Sequence, residues 1–384
     1  DGSCSEGPGY WSYGFGHFLV LADLLQRESG GRIQLGRFPN ALAAATYPDR
    51  ISLDGTRFPA FADSGTTGGP DSMIRWWANH LIQGKREPFP LSGPHADMQG
   101  TLAQWQLIGQ TTTAPASKSP VVSPLGLRDE FPDGGVLISR MLTDGKVTLS
   151  AAMKAGHNDE DHNHNDVGSY VIDLKGNLPI LDPGSTVYTA KTFSSERYVH
   201  PILSSYGHSV PILNDQLQTT GRASAGKIIT RTFTPDSDVW AVDLSACYPK
   251  AGVKSLERRW TFRRGEKPSL QVLDTVSLTS DGTFETAVVG APTWARVSEK
   301  VWLVREGTSI LRLTVDTTKP AEYRLEKLLN PGKYEPGRLG IKLLDKVKDA
   351  AVRVTFEIAD ENDWKAAKPF TGLTEISKSP PTPK

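Results

Sequence analysis

This chain of 384 residues has no long apolar run, only two cysteines and a formal net charge of zero. No apolar run reaches the ~18 residues of a membrane-spanning helix, which argues against a transmembrane protein. The two cysteines, Cys4 and Cys247, allow one disulfide at most, and we expect them to be unpaired. Lys+Arg and Asp+Glu balance at 43 each, so the charge gives no indication of nucleic-acid or membrane-surface binding.

Apolar and aromatic residues are plentiful by comparison. Hydrophobic residues make up 38% of the chain, with nine Trp, thirteen Phe and ten Tyr. At this length, that content is enough for two cores. The periodicity changes at a Thr/Ser/Pro-rich linker over 111–124. We therefore predict a helical domain over 1–115, a β domain over 116–371 and a disordered tail over 372–384.

The first part of the chain has apolar residues at helical spacing. This spacing predicts helices over 16–27, 40–46, 73–82 and 102–108. Asp71 or Ser72 is expected to cap the third of these helices. The chain opens at Asp1 without a signal-peptide pattern and enters a helix at once, so we interpret it as N-terminally incomplete.

The second part alternates apolar and polar residues in short segments separated by Asp-Gly, Gly-Glu and Pro-Gly turns. Because no helix-length insert separates them, they predict a large antiparallel β-sandwich. The predicted strands are 136–141, 147–153, 227–233, 239–244, 258–262, 270–278, 284–289, 310–315 and 352–358.

Five of the eight histidines fall between residues 157 and 208. His162 and His164 are two residues apart, so on an extended segment both face the same side, roughly 6.5–7 Å apart. The segments 167–174 and 178–182 then predict a hairpin that returns Asp182 beside His164. A loop leads on to His208. Two imidazoles and a carboxylate suit Zn²⁺, although a solvated polar loop is the alternative interpretation.

A glycine-rich turn follows the second predicted helix, at 61–69 (FADSGTTGG). A phosphate-binding loop would need a Lys after the glycines and a strand before them, and neither is evident here. We therefore interpret this turn as a connector.

Five short motifs occur in an order that carries a family resemblance. They are EGPGYWSYG at 6–14, FADSG at 61–65, HNHND at 162–166, LDPGS at 181–185 and GHSVPILNDQ at 207–216. Together they resemble the heparinase II/III-like polysaccharide lyases, which include oligoalginate lyases, over roughly residues 1–290. The resemblance implies an α+β multidomain fold, with the C-terminal part of an α/α toroid followed by a large antiparallel β-sandwich. It also implies cleavage of uronic-acid glycans by β-elimination.

β-Elimination at a uronate requires a neutralised carboxylate, a base near C5 and an acid for the departing C4 oxygen. By resemblance, Tyr10 and His162 are the acid–base pair. His164, Asp182 and His208 match the ligands of a structural zinc. The expected substrate contacts are Tyr13, which also rivals Tyr10 for the catalytic role, Tyr188 and Arg197.

The resemblance also bears on partners and location. It implies an anionic polysaccharide or oligosaccharide substrate, no nucleic-acid or membrane partner, and a periplasmic or secreted protein. It leaves homo-oligomerisation open. The family's uronate-neutralising residue lies on a toroid helix before the catalytic tyrosine, at a position upstream of Asp1, so we expect the chain tested alone to be a poor lyase.

Two other classes remain open at this stage. A metal enzyme of the cupin type also uses an HxH pair, but it would want a Glu shortly after the pair and a compact barrel. A carbohydrate-binding sandwich without catalysis is the second alternative. Neither alternative creates the conjugated C4=C5 double bond of a lyase product, which absorbs in the near ultraviolet.

Overall fold

The computed structural model describes residues 1–65, 69–84 and 125–380. The helix predicted at 102–108, the linker at 111–124 and the domain boundary at 115/116 lie outside the described residues.

In the described part of the chain, three helices precede the strands. They are α1 (Gly7–Glu28), α2 (Pro39–Ile51) and α3 (Ser72–Leu81), and a short α4 (Glu361–Ala366) lies near the C-terminus. Asp71 caps α3 as predicted, because its carboxylate accepts hydrogen bonds from the backbone N–H groups of Met73 and Ile74. Helix α1 starts at Gly7 rather than residue 16, with a proline in its first turn where no N–H is needed. No helix in the described ranges is long and apolar enough to cross a membrane.

The rest of the described chain consists mainly of strands. They are β1 (Arg128–Phe131), β2 (Val136–Thr143), β3 (Lys146–Lys154), β4 (His157–Asn158), β5 (Tyr170–Leu174), β6 (Asn177–Ile180), β7 (Ile212–Leu213), β8 (Gly221–Ala225), β9 (Lys227–Phe233), β10 (Ser237–Asp243), β11 (Val253–Arg263), β12 (Ser269–Gly282), β13 (Phe284–Gly290), β14 (Thr293–Arg296), β15 (Val301–Glu306), β16 (Ser309–Thr317), β17 (Ala321–Leu328), β18 (Gly337–Leu343), β19 (Val347–Ala359), β20 (Lys368–Pro369) and β21 (Thr374–Ile376).

These strands form two large sheets and a two-stranded ribbon of β4 and β8. The first sheet has the order β1-β2-β3-β5-β6-β13-β18-β17-β21, with β7 also paired to β13. The second has the order β20-β14-β15-β16-β19-β12-β11-β10-β9. All pairings but one are antiparallel, the exception being β17 with β21. Each strand predicted from the sequence is present, and the predicted hairpin is that of β5 and β6.

The tail predicted to be disordered from residue 372 instead contains β21. The Leu329 N–H donates to the Ile376 carbonyl at 2.9 Å, and the Ser379 N–H donates to the Val199 carbonyl at 3.0 Å. The hydroxyls of Ser204 and Ser379 lie 2.6 Å apart. A three-residue strand is too short to show a periodicity, so the Ser- and Pro-rich composition concealed it.

The first sheet is buried on both faces, which makes three layers. Leu137 and Ile172 point into the core shared with the second sheet. Their neighbours Ile138 and Val171 point the other way, into a cluster with α1, α2 and α3. Successive strand residues face opposite sides, so a strand covered on both faces has a continuous apolar run. The second sheet alternates instead, as in β11, which explains why its strands were the clearest in the sequence.

The helical layer is fixed to the first sheet by a close contact between two loops. The Ser185 N–H donates to the Ser64 carbonyl at 3.0 Å. Gly184, with φ +64°, would place a Cβ 2.4 Å from that carbonyl oxygen, so a larger residue does not fit. This contact brings the FADSG turn against the LDPGS and HNHND loops.

Asp173 on β5 provides a pH test of this packing. Its carboxyl is fully buried, and burial, followed by the charge of Asp54, raises its pKa from 3.8 to about 7. The folded protein thus keeps a proton that the unfolded chain loses above pH 3.8, so the free energy of unfolding falls as pH rises from 3.8 to about 7. Asp173→Asn is expected to remove this loss and to stabilise the protein at pH 8 by about 2–4 kcal/mol.

Urea denaturation at pH 4.5 and pH 8 measures the effect. Asp349→Asn, at an exposed position on β19, is the matched control and should change little at either pH. An Asp173→Asn protein whose stability still falls between these two pH values by as much as that of the unsubstituted protein would contradict the assignment.

Candidate active site

The site centres on the carboxylate of Asp63, whose side chain is fully buried. Its Oδ1 accepts a hydrogen bond from His164 Nε2 at 2.9 Å, and its Oδ2 accepts one from the Tyr188 hydroxyl at 2.8 Å. Arg197 Nη2 lies 3.2 and 3.1 Å from the two oxygens, and His162 Nδ1 lies 3.1 Å from Oδ2. Asp63 therefore joins residues from the HNHND loop and from the segment after β6.

The contacts of Asp63 keep it ionised. Burial alone would raise its pKa, but the hydrogen bond and charge of His164 and the charge of Arg197 hold the pKa well below its usual range. The sequence interpretation of this turn as a connector was therefore incomplete, because it missed a buried carboxylate with four partners. The FADSG motif was the signal that could have identified it.

Tyr10, His162 and Tyr188 meet beside Asp63. The Tyr10 hydroxyl lies 3.4 Å from His162 Nδ1 and 3.1 Å from the Tyr188 hydroxyl, which itself lies 2.8 Å from His162 Nδ1. The rings of Tyr10 and His162 have centroids 4.5 Å apart. Burial, followed by the hydrogen bonds to Tyr10 and Asp63, raises the pKa of Tyr188. Tyr188 thus keeps its proton, and the three groups can pass protons among themselves.

A cavity of about 300 Å³ opens next to this group. Tyr10 and Tyr13 lie one turn apart on α1 and both line it. Tyr10 reaches His162, whereas Tyr13 is half exposed and packs on His17 with ring centroids 4.7 Å apart. The geometry therefore favours Tyr10 over its rival Tyr13 for the acid–base role. The cavity is lined by Glu6, Gly9, Tyr10, Tyr13, Asp63, Ser64 and Gly65.

The histidine pair does not lie on a strand, contrary to the sequence prediction. Residues 159–169 form a loop, β5 begins only at Tyr170, and His162 has a left-handed φ of +53°. His162 keeps 22% of its side chain exposed, while that of His164 is fully buried. Ala62, just before Asp63, has φ +57°. Such conformations are uncommon outside glycine and concentrate at functional sites.

His164, Asp182 and His208 form a second, fully buried cluster. Each offers a ligand atom, and these atoms lie within 4.8 Å of one another. His164 donates through Nε2 to Asp63, and His208 Nδ1 lies 2.9 Å from Asp182 Oδ2. Within the described residues, His164 Nδ1 and His208 Nε2 are buried without a hydrogen-bond partner. Two orphaned imidazole nitrogens beside a carboxylate fit a metal ion of the zinc type.

The surroundings shift the pKa values of the two histidines of this cluster in opposite directions. Burial is the main cause that lowers the pKa of His164, and the neutral imidazole is the form that binds a metal. Burial opposes the charged form of His208 as well, but the charge and hydrogen bond of Asp182 outweigh it and raise the pKa of His208. The same two histidines lower the pKa of Asp182 against the effect of burial.

Arg258 holds the His208 segment in place from the second sheet. Its guanidinium donates to both oxygens of Asp274 at 2.6 Å, to the Gly168 carbonyl at 2.7 Å and to the Ser209 carbonyl. Sequence reasoning missed this residue, because an arginine in an alternating strand normally faces solvent. Asp166, the last residue of the HNHND motif, pairs with buried Lys154 at 2.7 Å.

Arg197 has a different position from the one expected of a substrate contact. Besides Asp63, its guanidinium donates to the carbonyls of Asn163 at 3.0 Å and Thr192 at 2.9 Å, and the residue is only 7% exposed. This arrangement favours a role in holding Asp63 and the HNHND loop rather than in binding a uronate. Tyr188, another expected substrate contact, is 44% exposed and can still meet a ligand.

Comparisons with known proteins give a likeness of fold. No family model and no curated protein matches the sequence. Among solved structures, a heparinase III gene product aligns with 94% of this chain and 53% of its own, with TM-score 0.68 and 14% identity. Heparan sulfate lyase HepC from Pedobacter heparinus aligns with 93% and 53%, with TM-score 0.68 and 14% identity. A further heparinase III structure aligns with 94% and 55%, with TM-score 0.63 and 13% identity.

These likenesses establish a heparinase-like fold. The chain spans about half the length of the structures it matches.

Proposed function

We propose that this chain carries the β-elimination site of a polysaccharide lyase that acts on uronic-acid glycans. The observation that carries the proposal is the meeting of Tyr10, His162 and Tyr188 at the edge of a cavity, over a buried Asp63. This group supplies an imidazole and a phenol within hydrogen-bond reach of each other, which is what proton removal and leaving-group protonation require. The heparinase-like fold supports the proposal at the level of architecture.

Asp63 sets the tautomer of His162 in this proposal. The contacts of His162 to Asp63, Tyr10 and Tyr188 are all made by Nδ1, so Nε2 is left to meet the substrate. A proton on Nδ1 that donates to the Asp63 carboxylate makes Nε2 the basic nitrogen, as in other carboxylate-oriented histidines.

The elimination then balances as follows. His162 Nε2 takes the C5 proton, the C–H electron pair forms the C4=C5 double bond, and the C4–O bond breaks. The Tyr10 hydroxyl gives its proton to the departing oxygen. The imidazolium then releases its Nε2 proton to water and the Tyr10 phenolate takes up one proton from water, which returns Tyr10 and the Nδ1–H tautomer of His162 to their starting states.

A zinc ion is part of the proposal. His164, Asp182 and His208 would hold it, and when bound it would cross-link the HNHND loop, the segment after β6 and the segment before β7. His164 connects this cluster to Asp63, which in turn holds His162 and Tyr188. The cluster thus supports the acid–base group without touching the substrate.

Three broader expectations belong to the same proposal. Helices α1 to α3 belong to the C-terminal part of an α/α toroid, the β-sheets form the sandwich that follows it, and the protein works in the periplasm or outside the cell. The substrate class includes heparan sulfate, which HepC is named for, and alginate.

Product formation tests the proposed function. The protein is incubated with heparan sulfate and with alginate, and absorbance of the conjugated double bond is followed in the near ultraviolet. We expect absorbance to rise with at least one uronate polymer, at the low rate that the sequence analysis anticipates, and not with a neutral glucan, which has no uronate carboxylate. Saturable binding of a uronate polymer without any unsaturated product would contradict catalysis and favour a carbohydrate-binding role.

We expect about one zinc per chain in the purified protein, because His164, Asp182 and His208 each offer a ligand atom within 4.8 Å of the other two, and each histidine has one buried nitrogen without a hydrogen-bond partner. Elemental analysis measures it. Asp182→Ala should lose the metal and lower the melting temperature, whereas the control His157→Ala, which alters a histidine outside the cluster, should keep both. Zinc content near zero in the unsubstituted protein, or unchanged in Asp182→Ala, would remove the ligand assignment.

A further inference from the structure

Phe193 is the most exposed large hydrophobic side chain of the described residues, at 68%. An isolated apolar residue on a surface needs no explanation by itself. Phe193, however, lies against the proposed acid–base group, with its ring centroid 5.6 Å from that of His162 and 5.2 Å from that of Tyr188.

The Phe193 ring contacts His162 and Tyr188, and most of the surface of the ring stays exposed. It stands nearly perpendicular to both neighbours, at 85° to His162 and 80° to Tyr188. The guanidinium carbon of Arg197 lies 5.8 Å from its centroid. Edge-to-face packing of this kind fixes the orientation of a ring without burying it.

The backbone that carries Phe193 is anchored. Thr192, its neighbour, is buried, and its carbonyl accepts a hydrogen bond from Arg197 Nη1 at 2.9 Å. The Thr192 hydroxyl accepts one from the Thr189 N–H at 2.8 Å. Arg197 is itself paired with Asp63, so the exposed ring is attached to the same network that orients His162 and Tyr188.

We propose that Phe193 is a stacking platform for a pyranose ring of the bound oligosaccharide, next to the bond that is cleaved. A sugar ring presents an apolar face of C–H groups, and an aromatic ring is the side chain that covers such a face without needing a hydrogen bond. Phe193 carries no polar atom, so it adds affinity and orientation regardless of the charge of the sugar. The inference rests on the proposed function for the nature of the ligand, and it adds a residue that no sequence motif indicated.

Calorimetric titration with a size-defined heparan sulfate oligosaccharide, together with steady-state kinetics, tests the platform. Phe193→Ala and Phe193→Leu are expected to raise Kd and KM about three- to tenfold, because both remove the aromatic face. Phe193→Trp should restore values near those of the unsubstituted protein. The matched control is Phe38→Ala, which removes an equally exposed Phe outside the site. Melting temperatures are expected to stay within about 2 °C, because the ring is exposed.

The measurements separate a platform from other roles and from the proposed function. Unchanged Kd and KM in Phe193→Ala would overturn the platform, and a fall in kcat alone would assign Phe193 to positioning of His162 instead. The lyase proposal stands in both cases. Weaker oligosaccharide binding in Phe193→Ala, in a protein that makes no unsaturated product, would support the platform while the lyase proposal fails. Equal losses in Phe193→Leu and Phe193→Trp would also overturn it, since only the latter keeps an aromatic face.

Discussion

Replacement of His162 by Ala is expected to lower the rate of unsaturated-product formation by about 10²–10⁴-fold. The imidazole is the group that would take the C5 proton, and its side chain is 22% exposed beside the cavity, so its removal costs little packing. The melting temperature should therefore stay nearly unchanged. Initial rates on the active uronate polymer and a thermal melt of the same sample give both values.

Tyr10→Phe is expected to cause a similar loss, because it removes only the hydroxyl that contacts His162 and Tyr188. Tyr13→Phe is the matched control, since Tyr13 lies one turn further along α1 and lines the same cavity. If Tyr13→Phe were the inactive variant, the two tyrosines would exchange roles. If His162→Ala unfolded the protein and released zinc, His162 would be a ligand instead of the base.

Asp63→Asn is expected to damage both the fold and the site. The substitution leaves the buried guanidinium of Arg197 without its carboxylate, and breaking a buried ion pair costs about 3–5 kcal/mol. It also removes the charge that orients His162 and stabilises its imidazolium, a loss of about 10²–10³ in rate. Chemical denaturation and initial rates measure the two effects separately.

A second substitution separates the effect of Asp63 on stability from its effect on the rate. Asp63→Asn combined with Arg197→Met removes both charges of the pair, so part of the lost stability should return. The rest should not, because the Asn163 and Thr192 carbonyls lose the hydrogen bonds of Arg197. Activity should not return, because His162 still lacks its carboxylate. A double variant that recovers activity together with stability would show that Asp63 acts only through folding.

Periodicity was sufficient to predict the layers of this protein. The strands of the second sheet are exposed on one face, so β11 and β12 alternate clearly and both were predicted, although the range 258–262 missed the first five residues of β11. Asp71 has the side chain that a helix start needs, and the cap of α3 was predicted from it. Short strands such as β20 and β21 form because a partner strand distant in sequence pairs with them. They are too short to show a hydrophobic periodicity, so the sequence did not indicate them.

The site was only partly predictable for a related reason. Motifs identified Tyr10, His162 and the three residues of the candidate metal cluster, because each motif contains chemically distinctive residues. Neither periodicity nor motif indicates that His162 adopts a left-handed backbone, nor that Arg197 turns inward to Asp63. Those features depend on contacts between residues more than one hundred positions apart, such as Arg197 with Asp63, at a separation of 134.

The contact of Ser379 with Val199 and Ser204, near Arg197, has a consequence for the order in which the chain folds. Ser379 bonds to Val199 and Ser204, and the latter contact spans 175 positions. Tyr10 meets Tyr188 across 178 positions. A chain leaving the ribosome can form α1 early, but the loop that carries Arg197 gains its last support only when residues near 379 have emerged. Contacts this distant in sequence slow folding, so the proposed acid–base group is expected to form late, after translation of nearly the whole described chain.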